Sequence, residues 1–214
     1  MARTLAEVAR RLNLGHAPLP ALILMTDERR LADPLPAAAR LPRGAAVILR
    51  HYAAADRPAL VRELAALCRR RGLLLLVAGD LGLARAVGAQ GIHLPGHRLR
   101  RGPVCRPGAR RPGWLVTAAA HSPADFARAR RAGADAVLLS PVFQTASHPG
   151  MPALGPLRFA LWCRAARLPV YALGGIATGC ANRLLGSGAV GIAGIGGLSE
   201  IPSKLAETRP GRDD

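Results

Sequence analysis

The chain has 214 residues, half of them apolar, and carries 30 Lys and Arg against 13 Asp and Glu for a formal net charge of +17. That length fits one domain with a sizeable core. No run reaches the roughly 18–20 uninterrupted apolar residues of a membrane span. The N-terminus, MARTLAEVARRLNLG, places charge every few residues and has no secretory h-region, so the expected location is cytoplasmic. The basic excess raises nucleic-acid binding, but aromatic residues are only 3% of the chain, too few for a base-stacking platform. The charge therefore reads as a solvated basic loop or an anion-attracting field, densest over His97–Gly113, in a stretch without Asp or Glu from Asp80 to Asp125. Cys68, Cys105, Cys163 and Cys180 form no CxxC pair and read as reduced thiols.

Residues 3–14 read as an amphipathic helix, with Leu5, Val8, Ala9 and Leu12 on one face and Gly15 beyond its end. The first strand is Ala21–Met25, closed by Thr26 and Asp27, followed by a short helix from Pro34 to Leu41. The second strand, Ala45–Leu49, ends in Arg50, His51 and Tyr52. A helix over Arg57–Arg71 buries Leu60, Leu64, Leu67 and Cys68 and stops at Gly72. The third strand, Leu73–Val77, is apolar throughout, as expected of a strand covered on both faces. A helix over Leu81–Val87 leads to a fourth strand, Gly91–Leu94. The crossover after it carries Pro103, Pro107 and Pro112 among arginines, which argues against a full helix.

The fifth strand is Trp114–Ala120. The helix after it has a clear start, with Ser122 as N-cap, Pro123 at the first position and Asp125 at the third. The sixth strand, Ala136–Leu139, breaks at Pro141 into a polar loop with Gln144, Thr145, Ser147 and His148. A helix over Pro156–Arg167, a seventh strand over Val170–Leu173, a short helix over Thr178–Leu185 and an eighth strand over Gly191–Ile195 complete the run.

Eight alternations of strand and helix predict an α/β fold, a single (β/α)8 TIM barrel spanning 1–200. Residues 1–19 supply an extra N-terminal helix and lead-in, and the polar stretch 201–214 reads as a disordered tail. Two glycine clusters follow the last two strands: LGGIA with Gly174 and Gly175, and IAGIGG with Gly194, Gly196 and Gly197. In such barrels these loops often hold a phosphate through backbone N–H groups, and glycine lets the backbone approach the anion. Tight turns alone are the alternative.

The segments GIHL (Gly91–Leu94), AHS (Ala120–Ser122), GADAVLLSPVFQTASHP (Gly133–Pro149) and PVYALGGI (Pro169–Ile176) resemble the thiamine phosphate synthase and TenI superfamily. The resemblance runs from about Ala21 to Leu198. It implies a TIM barrel that binds a thiazole phosphate with its phosphate on the last two loops. Checked position by position, much of the synthase apparatus is absent. Where the family carries Gln-x-Arg-x-Lys, this chain has Ile48, Arg50 and Tyr52. Where it carries Asn-Asp, the Asp being a magnesium ligand, this chain has Ala78 and Gly79, with Asp80 one place late. The second metal-ligand Asp is replaced by His97, and a family Ser by Ala119. The Thr-x-Thr-Lys pattern reads Thr145, Ser147 and His148, and the only lysine, Lys204, lies in the tail.

Loss of pyrophosphate needs positive charge and Mg²⁺ on the leaving group, and Mg²⁺ prefers hard oxygen ligands. His121 occupies the position of the TenI-type acid/base, and strand alternation puts it on the face of Ala119, toward the barrel mouth. A capping role beside Ser122 is its alternative. The expectation is a tautomerase-like or divergent synthase-like protein. It would have His121 as catalytic residue, Arg50, Thr145, Ser147 and His148 as substrate contacts, and no resident metal. No cofactor is required for tautomerisation, and Mg²⁺ only if synthase activity is retained. A non-catalytic phosphate-ligand barrel is the second reading. The third is a metal-dependent hydrolase using His51, His93, His97 and His148 at one rim. The expected partner is a small phosphate ligand, and a homodimer is compatible with this.

Overall fold

A computed structural model describes residues 3–16, 18–99, 112–145, 150, 152–195 and 198. Eight parallel strands close into a barrel in sequence order: β1 (Leu22–Met25), β2 (Ala46–Leu49), β3 (Leu74–Ala78), β4 (Gly91–Leu94), β5 (Leu115–Ala120), β6 (Ala136–Leu139), β7 (Val170–Leu173) and β8 (Gly191–Gly194). β1 pairs with β8, Ile23 lying beside Ala193, and this closes the ring. The helices are α1 (Leu5–Leu12), α2 (Leu35–Ala39), α3 (Arg57–Arg71), α4 (Leu81–Ala86), α5 (Gly96–Leu99), α6 (Pro123–Arg131), α7 (Gly155–Ala165) and α8 (Thr178–Ala181), the last running into a 3₁₀ turn over Asn182–Leu184. This is a TIM barrel with one helix added in front. No helix among the described residues is long and apolar enough to cross a membrane. The basic stretch 100–111 and the segment 199–214 lie outside the described residues.

Local chemistry accounts for the helix ends. Thr4 and Glu7 form a reciprocal capping box at α1, with Glu7 N–H to Thr4 Oγ1 at 3.3 Å and Thr4 N–H to Glu7 Oε2 at 2.7 Å. Asp56 caps α3 by accepting from Ala59 N–H at 2.8 Å, and Gly72 ends it with a left-handed φ of 64°. α6 differs from the expected Ser122 cap. Ser122 makes no side-chain bond to the helix backbone; its hydroxyl donates to Asp125 Oδ2 at 2.9 Å. The same carboxylate oxygen accepts His121 N–H at 3.0 Å. Asp125 therefore reaches back to hold the strand-to-helix turn, one carboxylate oxygen accepting both the Ser122 hydroxyl and the His121 N–H.

Alternation splits the strand side chains into two cores. One set, including Val47, Leu75, Val116, Val137 and Ala172, faces the helices. The other fills the barrel: Ile23, Met25, Ala46, Ile48, Leu76, Ala78, Ala136, Leu138, Tyr171 and Ala193. Tyr171 is fully buried, and its hydroxyl donates to Pro20 O at 2.7 Å. Gly191 makes room for it, since a Cβ there would stand 2.8 Å from Tyr171 Cε1. His93 and Thr117 are neighbours in the register that joins Ala78, His93, Thr117 and Ala136 across β3–β6, so both belong to the inward set.

Candidate functional site at the barrel mouth

The C-terminal ends of the strands frame a cavity of about 400 Å³. Its β7 and β8 side is formed by Leu173 to Ala177 and Ala193 to Ile195, where Gly174, Gly175 and Gly194 interrupt the aliphatic side chains. Gly174 and Gly175 have φ of 95° and 66°. Their lack of side chains has a second cause besides conformation. The β6 loop crosses directly over them, with Phe143 N–H donating to Gly174 O at 3.0 Å and Val142 N–H to Leu173 O at 3.0 Å. A Cβ on Gly175 would run into Gln144 O and stand 2.7 Å from Phe143 O. The glycine pair thus lets the β6 loop, with Gln144 and Thr145, share one wall with the β7 loop. Gly194 lies in the wall, whereas Gly196, Gly197, Ser147 and His148 fall outside the described residues.

The adjoining wall is polar and comes from β1 and β2: Met25, Asp27, Arg30 and Arg50. Arg50 Nη2 stands 4.0 Å from Asp27 Oδ2, and Nη1 donates to Met25 Sδ at 3.3 Å. The sequence reading places Arg50 here but misses Asp27 and Arg30 as wall residues. The one available signal is that both follow the C-terminal end of a barrel strand, where such folds present their loops.

His121 is exposed, just past the end of β5, and is not among the residues lining the cavity. It stands beside it. Its Nδ1 lies 2.9 Å from the carbonyl oxygen of Ser140, a wall residue, and 3.3 Å from Ser140 Oγ. A carbonyl can only accept, so Nδ1 carries the hydrogen, and in the neutral ring Nε2 is the basic nitrogen. On the backbone side, Asp125 accepts His121 N–H. Burial pushes the Asp125 carboxyl up, but the bonds from His121, Ser122 and Arg128 together hold it below the ordinary carboxylate range. The charge that anchors the histidine turn is thus kept ionised.

The histidines suggested as a metal rim do not meet. His51 is buried beside Thr26, His93 lies inside the barrel with Nδ1 2.9 Å from Thr117 Oγ1, and His97 is exposed on α5. Burial, with the nearby Arg50 charge, pushes His93 down to about 3 and keeps the ring neutral. His148 is outside the described residues. Among the described residues no group of three or more His, Cys, Asp or Glu is placed to hold a metal ion.

The Mg²⁺ that the family resemblance implies does not fit these donors. Gly79 and His97 offer no hard oxygen side chain. Asp80 is engaged elsewhere. Its Oδ1 caps α4 through Leu83 N–H at 2.8 Å, and its Oδ2 faces Arg57 Nη1 at 3.4 Å. Arg57 also donates to Ala78 O at 2.8 Å, which puts a guanidinium at the end of β3. Cys68 and Cys163 are buried, their thiols pushed up to about 12 by burial, and take no part in the site.

Fold and cavity define a (β/α)8 barrel whose open end is lined by the glycine-containing β7 and β8 loops and, next to them, by Arg30 and Arg50. Comparison with known proteins makes the class specific. The sequence pattern of the family described as thiamine monophosphate synthase (TMP-TENI) matches residues 22–198. A thiamine-phosphate synthase from Chlorobium luteolum is 34% identical over 200 residues, 90% of each chain. One from Thiobacillus denitrificans is 38% identical over 154 residues, 69% of this chain and 70% of that one. The solved thiamine phosphate pyrophosphorylase from Pyrococcus furiosus superposes with a TM-score of 0.68 at 23% identity, covering 92% of this chain and 95% of that one, a likeness of fold. The chain belongs to the thiamine monophosphate synthase family.

Proposed function

We propose that this barrel binds a thiazole phosphate in the mouth cavity and acts on it as a tautomerase, with His121 moving the proton. One observation carries the reading: His121 is held by the carbonyl of Ser140, which lines a cavity that Gly174, Gly175 and Gly194 also line. The phosphate end would lie along Gly174, Gly175 and Gly194, since glycine lets backbone amides approach an anion closely. Thr145 and Ser147 would hydrogen-bond the ring or its acidic substituent, and Arg50 with His148 would face that substituent. His121 Nε2 takes a proton from one ring position and returns it at another. The shift leaves atoms and charge balanced and needs neither metal nor lysine. A positioned acid/base of this kind typically contributes ~10²–10⁴ in rate.

The deciding experiment follows tautomerisation of a thiazole phosphate by wild type and by His121→Ala. The variant should lose nearly all turnover, by about 10²-fold or more, while binding the ligand within a few-fold. An unchanged rate refutes the assignment of His121. In parallel, Mg²⁺-dependent coupling of pyrimidine pyrophosphate with thiazole phosphate is expected to be weak or absent, and robust turnover would make the protein a divergent synthase. A second reading, a non-catalytic phosphate-ligand barrel, is favoured by the position of His121 beside the cavity rather than in its lining.

A further inference from the structure

Thr26 and His51 are polar and almost completely inaccessible, at 0% and 2% exposure, and neither lines the cavity. Four hydrogen-bond contacts link them to each other and to the polar wall. Arg50 N–H lies 3.0 Å from Thr26 Oγ1, Thr26 Oγ1 lies 2.8 Å from His51 Nδ1, and His51 Nε2 lies 3.0 Å from Leu31 O and 3.3 Å from Ala32 O. The ends of this chain fix its direction. A backbone N–H can only donate and a carbonyl can only accept. Thr26 Oγ1 therefore accepts from Arg50 and gives its own hydrogen to Nδ1, and Nε2–H donates to Leu31. Thr26 N–H also donates to Ile48 O at 2.9 Å, so the hydroxyl extends the β1–β2 pairing past the end of the ladder.

What the chain of bonds grips is the polar wall itself. At one end is the backbone of Arg50. At the other is the turn from Asp27 to Ala32, closed by Leu31 N–H to Asp27 O at 2.8 Å and by Asp27 Oδ1 accepting Arg29 and Arg30 N–H at 3.2 Å each. Asp27, Arg30 and Arg50 are the charged residues of that wall. We infer that Thr26 and His51 form a buried positioning relay that holds Arg50 and the Asp27–Ala32 turn in one fixed arrangement for the polar end of the ligand. The inference rests on the mouth cavity being the ligand site. It also gives His51 a role quite different from metal ligation, since both ring nitrogens are committed.

The test uses Thr26→Val and His51→Phe, each of which keeps shape and removes bonds, with Thr26→Ser and His51→Gln as rescues. Serine keeps the hydroxyl, and glutamine supplies an acceptor and a donor at roughly imidazole spacing. Two quantities are read on the full chain: amide hydrogen exchange across 27–32, with α3 as internal reference, and the dissociation constant of thiazole phosphate. Exchange across the turn should rise about tenfold or more in Thr26→Val and His51→Phe, and affinity should fall about tenfold, with both rescues within about twofold of wild type. Unchanged exchange in the Val and Phe variants, equal loss in the rescues, or faster exchange with unaltered affinity each overturns the relay. Wild type that binds no thiazole phosphate overturns the cavity reading instead, and the exchange pattern still decides whether the relay holds the turn.

Discussion

Gly175→Ala is the most telling single perturbation of the cavity wall, because two separable penalties meet there. The first is conformational. At φ +66° an alanine sits in the left-handed region, which costs about 1–2 kcal/mol. The second is steric. The new Cβ would collide with Gln144 O and lie 2.7 Å from the carbonyl of Phe143, so the β6 loop must withdraw and weaken the Phe143 N–H to Gly174 O bond. Overpacking against backbone of this kind costs about 1–3 kcal/mol. Gly15→Ala isolates the first penalty, since Gly15 also has positive φ, 84°, and a Cβ added there would meet nothing within 4 Å. Chemical denaturation of both variants should show Gly175→Ala less stable than Gly15→Ala by about 1–3 kcal/mol, or roughly 2–12 °C in Tm for a chain of this size. Its affinity for a thiazole phosphate should also fall, because the displaced loop carries Gln144 and Thr145. Equal losses in the two variants would refute the idea that the glycine pair exists to let the β6 loop cross.

Burial of His93 makes a pH prediction. Its pKa falls from the ordinary 6.5 to about 3, so between these values the unfolded chain takes up a proton that the folded chain refuses. Its contribution is therefore most favourable above pH 6.5 and declines by about 1.36 kcal/mol per pH unit below it, or about 3 kcal/mol by pH 4. Urea titrations should show that much extra acid loss in wild type relative to His93→Gln, and parallel pH profiles would contradict it. Tyr171→Phe keeps the ring that fills the barrel against Gly191 but removes the buried bond to Pro20 O, leaving that carbonyl without its donor. A loss of about 1–2 kcal/mol is expected by denaturation, and an unchanged midpoint would mean the hydroxyl contributes nothing net.

The amino-acid sequence by itself determines the eight strands and their order. Each strand is a short apolar run between turn residues, and that pattern is local. Gly72, Pro123 and the glycines after β7 mark element ends through backbone chemistry alone, so these are legible too. Side-chain direction across the closed barrel is not. His51 and His121 each follow a barrel strand and His93 lies within one, yet the first clamps the β1 loop, the second stands at the mouth and the third lies neutral inside the barrel. Which of these occurs depends on how the neighbouring strands stagger, and no local period encodes stagger. Asp27 and Arg30 join Arg50 in one wall only because β1 and β2 pair side by side at the rim. Gly174 and Gly175 read as phosphate glycines in the sequence. Tertiary structure adds that they lie under the β6 loop, a contact between segments some thirty residues apart that only the folded barrel creates.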